Sequence, residues 1–83
     1  MFDIKYLQAD LNYTVLHYED GRKSIHSYTL KRFEEAFEQS SAFLRTHRSY
    51  LVNEKHIISK TKNTVTLTGD IILPLARRRR RIK

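Results

Sequence analysis

Eleven consecutive residues, Phe43-Leu-Arg-Thr-His-Arg-Ser-Tyr-Leu-Val-Asn53, hold the chain's densest set of groups able to do chemistry. Arg45 and Arg48 carry planar forks of N–H donors, His47 can donate or accept, and Thr46, Ser49 and Tyr50 carry hydroxyls. Phe43 and Leu44 before them, and Leu51 and Val52 after, are apolar anchors that can hold the middle of the segment in one pose toward a partner. Such a set could attack a substrate through Ser49 and His47, ligate a metal, or grip an anion through its arginines. A connector that merely carries solvated charges is the plain alternative.

The first two chemistries find little support. A nucleophile needs a base and a group that orients the base, and Ser49 beside His47 comes with neither an orienting partner nor a glycine-rich elbow. His17, His26, His47 and His56 lack metal-ligand spacing to cysteines or carboxylates, and His17 and His26 read as ordinary sheet residues. With two glycines in the whole chain, no phosphate-cradling loop can be built. No enzyme, metal site or cofactor is expected.

Anion recognition is favoured by the charge distribution. Residues 1–43 carry five Lys/Arg against seven Asp/Glu, a balance of −2, whereas residues 44–83 carry eleven against two, a balance of +9. A field of one sign concentrated in half the chain suits a polyanion, nucleic acid before an anionic membrane surface. A solvated basic face without a partner is the competing reading. The run Arg77-Arg78-Arg79-Arg80-Arg81 can likewise be a disordered basic tail or a localisation-like patch.

Eighty-three residues make one small domain with a modest core and no deep substrate cavity. Absence of cysteine removes disulfides and thiolate metal sites, and fits a reducing, cytoplasmic setting. No apolar run is long enough to span a membrane, and Met-Phe-Asp-Ile-Lys is neither a signal nor a transit peptide.

The elements that would position the central stretch are mostly strands. Ile4 to Ala9 is an apolar-rich run, interrupted by the turn-prone Asp10-Leu11-Asn12. Tyr13 to Glu19 is β-branched and aromatic, with Tyr13, Val15 and His17 on one face and Thr14, Leu16 and Tyr18 on the other. Asp20-Gly21 signals a hairpin returning through Arg22 to Tyr28. The period changes at Thr29: Leu30, Phe33 and Phe37 predict a helix over about 29–39, capped by Thr29 and stapled by Tyr28 on Phe33. Its acidic outer face suits a structural cover better than a helix entering a groove. Ser40-Ser41 ends it. His56 to Lys60 reads as a strand, Lys62-Asn63 as a turn, and Thr64 to Thr68 as a strand with Val65 and Leu67 inward. Gly69-Asp70 turns into Ile71-Ile72-Leu73, and Pro74 belongs on an edge or at a strand end. The expectation is a mainly β domain, two antiparallel hairpin systems with one helix between them.

Without paired amphipathic helices, a Cys/His finger or an aromatic RNA-binding strand signature, nucleic-acid readout is left to loops at strand ends. Arg45, Arg48 and Arg77 to Arg81 are the forks available to clamp a phosphate or grip guanine.

The same residues resemble a known family. Phe43 to Asn53, followed by His56-Ile57 and later by Leu73-Pro-Leu-Ala-Arg77, is similar to the LytTR family of bacterial DNA-binding domains. That family's hallmark is an F-x-R-x-H-x-S-[YF]-x-V-N core, a following N-x-x-H-I and a closing L-P-x-S-R. Asp3-Ile-Lys-Tyr-Leu-Gln-Ala resembles its opening strand and Asn12-Tyr13 its first loop, so the likeness covers nearly the whole chain. It implies an elongated, almost all-β module of small antiparallel sheets with one short helix, whose loops enter successive major grooves of double-stranded DNA. Carried over residue by residue, Asn12, Tyr13, His47, Arg48 and Arg77 would contact bases. Arg45, Ser49, Lys55, Arg78 and Arg80 would contact phosphates. Tyr50, Leu51, Val52 and Ile57 would be structural, and Asn53 a buried amide holding the loop.

Two departures stand out. Ala76 replaces the serine usual before the closing arginine, and the run 77–83 is more basic than typical, which implies a steeper salt dependence. Many members carry an N-terminal receiver domain of a two-component response regulator; none is read in these residues, which implies an excised output domain or a small stand-alone regulator. The resemblance also implies paired promoter repeats and a homodimer on DNA. Two other functions compete with sequence-specific DNA binding: non-specific nucleic-acid (RNA) binding through the arginine run, and docking of an acidic protein partner such as a receiver domain.

Overall fold

Two strands of this chain bury both of their faces, and the architecture follows from them. In the computed structural model, which describes residues 4–37 and 42–76, β1 (Ile4–Asp10), β2 (Tyr13–Tyr18) and β3 (Lys23–His26) form an antiparallel meander. The helix α1 (Leu30–Ala36) follows, then β4 (Phe43–His47) and β5 (Tyr50–Asn53). A 3₁₀ turn over Glu54–His56 leads to β6 (Ile57–Lys60), β7 (Thr64–Leu67) and β8 (Ile71–Pro74). The first five strands make one sheet in the order β3-β2-β1-β5-β4, and the last three a second sheet in the order β6-β7-β8.

Period-two alternation divides β1 and β5 between two cores. Leu7, Leu16 and Leu51 face α1, where Leu30 completes a buried cluster flanked by Phe33, Phe37 and Phe43. Val52, the next residue along β5, faces the opposite way and joins Val65, Leu67 and Leu73 of the second sheet, with Tyr6, Tyr50, Ile57 and Ile71 around them. The five-stranded sheet is therefore a middle layer, covered by the helix on one side and the small sheet on the other. Burying a leucine or valine this completely contributes about 1.5–3 kcal/mol each, so Leu51 and Val52 tie three layers together within two residues. Because the layers stack, principal extents are 31 × 25 × 25 Å and the elongation is slight.

Most expected elements form, with instructive shifts at their ends. Thr29 is the N-cap of α1, its hydroxyl accepting from Arg32 N–H at 3.4 Å, and Tyr28 meets Phe33 edge-on at 6.2 Å between centroids. The described helix runs to Ala36 with Phe37 as its cap; Gln39, Ser40 and Ser41 lie outside the described residues. The return strand is shorter than Arg22 to Tyr28. The Tyr28 carbonyl accepts from the Thr14 hydroxyl at 2.7 Å, turning the chain toward the helix in place of a ladder bond. His56 is not in a strand but buried in the 3₁₀ turn, which Asn53 caps by accepting from Lys55 N–H at 3.1 Å. Pro74 ends β8 on an edge of the second sheet, where its missing N–H is not needed. No helix among the described residues is long and apolar enough to cross a membrane.

Candidate nucleic-acid interface

Pairing of β1 with β5 decides which turns are neighbours. The register sets Gln8 opposite Tyr50, so the Leu11-Asn12 turn and the Arg48-Ser49 turn emerge at the same end of the sheet. Ala9 N–H donates to the Ser49 carbonyl at 2.8 Å and joins the two turns directly. After β8, Ala76 N–H donates to the Thr46 carbonyl at 2.8 Å, bringing the chain to β4 one residue before His47. Leu75 N–H meanwhile donates to the Asn63 carbonyl at 2.8 Å, which sets the β6–β7 turn beside the same place. One edge thus gathers residues 11–13, 47–49, 60–63 and 75–76.

The 47–49 turn is held from several directions. Its strands lose register between Arg45 and His47, a bulge that re-aims the side chains beyond it. Arg45 Nε donates to the His47 carbonyl at 3.0 Å and Nη2 to the Arg48 carbonyl at 2.8 Å, while Nη1 ion-pairs with Glu34 of α1. Ser49 N–H donates to His47 Nδ1 at 3.0 Å. An accepting Nδ1 puts the ring proton on Nε2, the tautomer that offers a donor on the far side of the ring. The ring also closes a ladder across the sheet. His17 stacks on Tyr6 at 4.2 Å, Tyr6 meets Tyr50 at 6.2 Å, and Tyr50 meets His47 at 5.8 Å. Burial lifts the Tyr6 hydroxyl above its ordinary range, with Tyr50 adding to the effect, and burial then Lys23 lower His17.

Of the residues singled out by sequence, Asn12, Tyr13, His47, Arg48 and Ser49 come together on this edge. Asn12 and Arg48 are exposed, and Tyr13 is 50% exposed. Arg77, Arg78 and Arg80 lie outside the described residues; Ala76, which precedes them, is fixed at Thr46. Arg45, expected to contact phosphate, has a side chain only 13% exposed, and its donors serve two turn carbonyls and Glu34. Lys55, also expected at phosphate, stands beyond Asn53 at the other end of β5, and the four strand steps from Ser49 to Asn53 alone span about 13 Å. Ser49 and His47 are joined through the serine's backbone N–H, a turn closure and not a nucleophile–base bond. Among the described residues, no group of three His, Cys, Asp or Glu could hold a metal ion.

Lys60, at the end of β6, and Lys62, in the β6–β7 turn, are both exposed and are members of this edge that sequence reasoning does not single out. Their signal was the basic balance of the second half, but only the Leu75–Asn63 bond shows where that turn goes. Asn53, 4% exposed, is the buried amide it was expected to be, donating Nδ2 to the Ile4 carbonyl at 2.8 Å.

A family model described as the LytTr DNA-binding domain matches residues 1–81. Among solved structures, the chain is similar to one described as the LytTr DNA-binding domain of a protein assigned as a methyl-accepting/DNA response regulator from Bacillus cereus. The TM-score is 0.79 at 27% sequence identity, over 93% of this chain and 73% of that one. Among curated proteins none matches.

Proposed function

The chain belongs to the LytTR family of DNA-binding domains, and from that premise we propose that it reads a specific duplex sequence through the turns gathered at one end of its sheet. Asn12, Tyr13, His47, Arg48 and Arg77 face bases in the major groove, His47 through Nε2–H and Arg48 as a fork suited to guanine. Ser49, Arg78 and Arg80 take phosphates, joined by Lys60 and Lys62. Arg45 acts as a positioning residue, and Lys55 reaches phosphate only where a duplex extends to the far end of β5.

One observation carries this reading: the 47–49 turn is pinned by Arg45, by the Ser49–His47 bond and by Ala9, while Arg48 itself is exposed. A turn that serves only as a connector needs no such bracing. A turn that must present a guanidinium to a base edge does, because ordering it in advance removes an entropic penalty from binding. A single module makes few base contacts, so two protomers on paired promoter repeats supply the affinity that one half-site lacks. The setting is a bacterial cytoplasmic transcriptional regulator, or the output domain of a two-component response regulator beside its receiver domain.

Selection of duplexes from a random pool tests this, followed by gel-shift titration of Arg48→Ala on the selected site and on a scrambled one. The substitution should lose about 1–3 kcal/mol on the selected site and relax discrimination at one position. Equal losses on both duplexes would refute base reading by Arg48. Binding that survives Arg48→Ala unchanged but vanishes when residues 78–81 are deleted would instead point to sequence-independent attraction through the arginine run. No tight binding of any duplex at physiological salt would favour an acidic protein partner.

A further inference from the structure

Leu11, in the β1–β2 turn, combines three properties. It is 93% exposed. Its φ is 57°, in the left-handed region where a leucine Cβ crowds the backbone. It stands on the edge that carries Arg48, since the turn that holds it is tied to the other through the Ala9–Ser49 bond. A single exposed leucine is unremarkable by itself. The other described non-glycine residue with positive φ is Asp70, a type whose short polar side chain tolerates that conformation; leucine has no such excuse. Asparagine or glycine would suit the site better and remove apolar surface from water.

Resting on the duplex-reading proposal above, we infer that Leu11 is a specificity-determining residue that packs on the 5-methyl group of a thymine. The turn around it offers no cation, since Asp10 and Asn12 flank Leu11, so this tip is poorly suited to clamp a phosphate. What it can bring to a major groove is an apolar end beside an amide. The thymine methyl is the apolar group displayed there, and leucine's branched end is a match for it. A contact made by this exposed side chain on the duplex accounts for retaining a strained leucine in the turn.

The test uses the duplex that the wild-type chain selects from a random pool, with each thymine replaced in turn by deoxyuridine, which lacks only the methyl. Wild-type affinity should fall about three- to tenfold at one position. Leu11→Gly keeps the positive-φ turn while removing the side chain. It should bind the parent duplex correspondingly less tightly, ignore the thymine-to-deoxyuridine change at that position, and melt at a temperature no lower than wild type. The unchanged or raised melting temperature separates loss of a contact from loss of the fold. If the wild type binds a selected duplex but no thymine is sensitive, or if Leu11→Gly keeps the same sensitivity, the Leu11 contact is overturned and the duplex reading stands. If the wild type selects no duplex at all, the reading fails and takes the contact with it.

Discussion

Replacing Asn53 by alanine removes one side chain that does two jobs. Nδ2 donates to the Ile4 carbonyl at 2.8 Å, joining the end of β5 to the start of β1, and Oδ1 accepts from Lys55 N–H at 3.1 Å, capping the 3₁₀ turn. Leaving the Ile4 carbonyl without its partner costs about 1–3 kcal/mol, and losing the cap costs about 1 kcal/mol. The sum, about 2–4 kcal/mol, is large against the roughly 4–12 kcal/mol expected for the whole domain at about 0.05–0.15 kcal/mol per residue. The melting temperature should fall by about 10–25 °C. Urea unfolding followed by far-ultraviolet circular dichroism measures this, with the slope m unchanged if only stability is altered. Asn53→Asp sharpens it: the cap acceptor survives, but an oxygen replaces the donor facing the Ile4 carbonyl, so the loss should equal or exceed that of alanine. Since Asn53 sits at the end of β5 away from Arg48, duplex affinity of the folded protein measured in the cold should stay within about threefold of wild type. A loss of stability under about 0.5 kcal/mol would refute the reasoning, as would Asn53→Asp behaving like wild type.

Glu34→Gln sets two physical effects against each other. Deleting a negative charge should tighten DNA binding electrostatically, whereas releasing Arg45 from its ion pair loosens the turn that Arg45 braces; we expect binding about two- to fivefold weaker, read by fluorescence anisotropy, and tighter binding would refute a positioning role. Arg45→Ala should weaken binding while leaving the slope of log affinity against log salt unchanged, whereas a phosphate contact would reduce that slope by about 0.9. His17 is held below its ordinary 6.5 by burial first and Lys23 second, so the fold favours the neutral ring. Its contribution to stability is complete above pH 6.5 and is lost as pH falls through the lowered value. The urea midpoint should therefore drop between about pH 7.5 and pH 5.5, and the drop should be smaller in His17→Gln; equal slopes in the two proteins would refute it.

Local pattern made much of this molecule legible. Alternation in Thr64 to Thr68 gives the inward Val65 and Leu67, and the Asp20-Gly21 turn forms with Gly21 at φ 92°. Helix start, cap and staple at Tyr28, Thr29 and Phe33 follow from residue type and spacing alone. Nonlocal geometry was harder to read. That Phe43 to Asn53 folds into a hairpin whose second strand docks on β1 depends on residues more than forty positions away, for which no local periodicity gives a sign. Arg45 shows the same limit at the site. An arginine in a basic stretch looks alike whether it greets a phosphate or braces a turn, and the ion pair with Glu34, reaching from a helix, has no sign in the local sequence. Lys60 reads as the end of a strand and Lys62 as part of a turn, and neither reading places them at the edge, because the Leu75–Asn63 bond that brings this hairpin there has no local signature. Leu11 read simply as part of a turn, since exposure and φ are properties of a folded chain.

The β1–β5 seam also orders events in time. Every other strand pair joins neighbours in sequence, whereas Gln8 and Tyr50 pair across 42 residues. Closing a loop of that length costs about 2 kcal/mol more in chain entropy than closing a four-residue hairpin. That difference predicts that the hairpins form before the seam and that closing the seam limits the folding rate. Before it closes, the Leu11-Asn12 and Arg48-Ser49 turns can each exist without being neighbours. During synthesis the meander emerges first, with the Tyr6–Gln8 edge of β1 open to solvent until β5 arrives to cover it. Protection of that edge from pairing with another chain, and the juxtaposition of the two turns, are thus expected to arrive in a single late event.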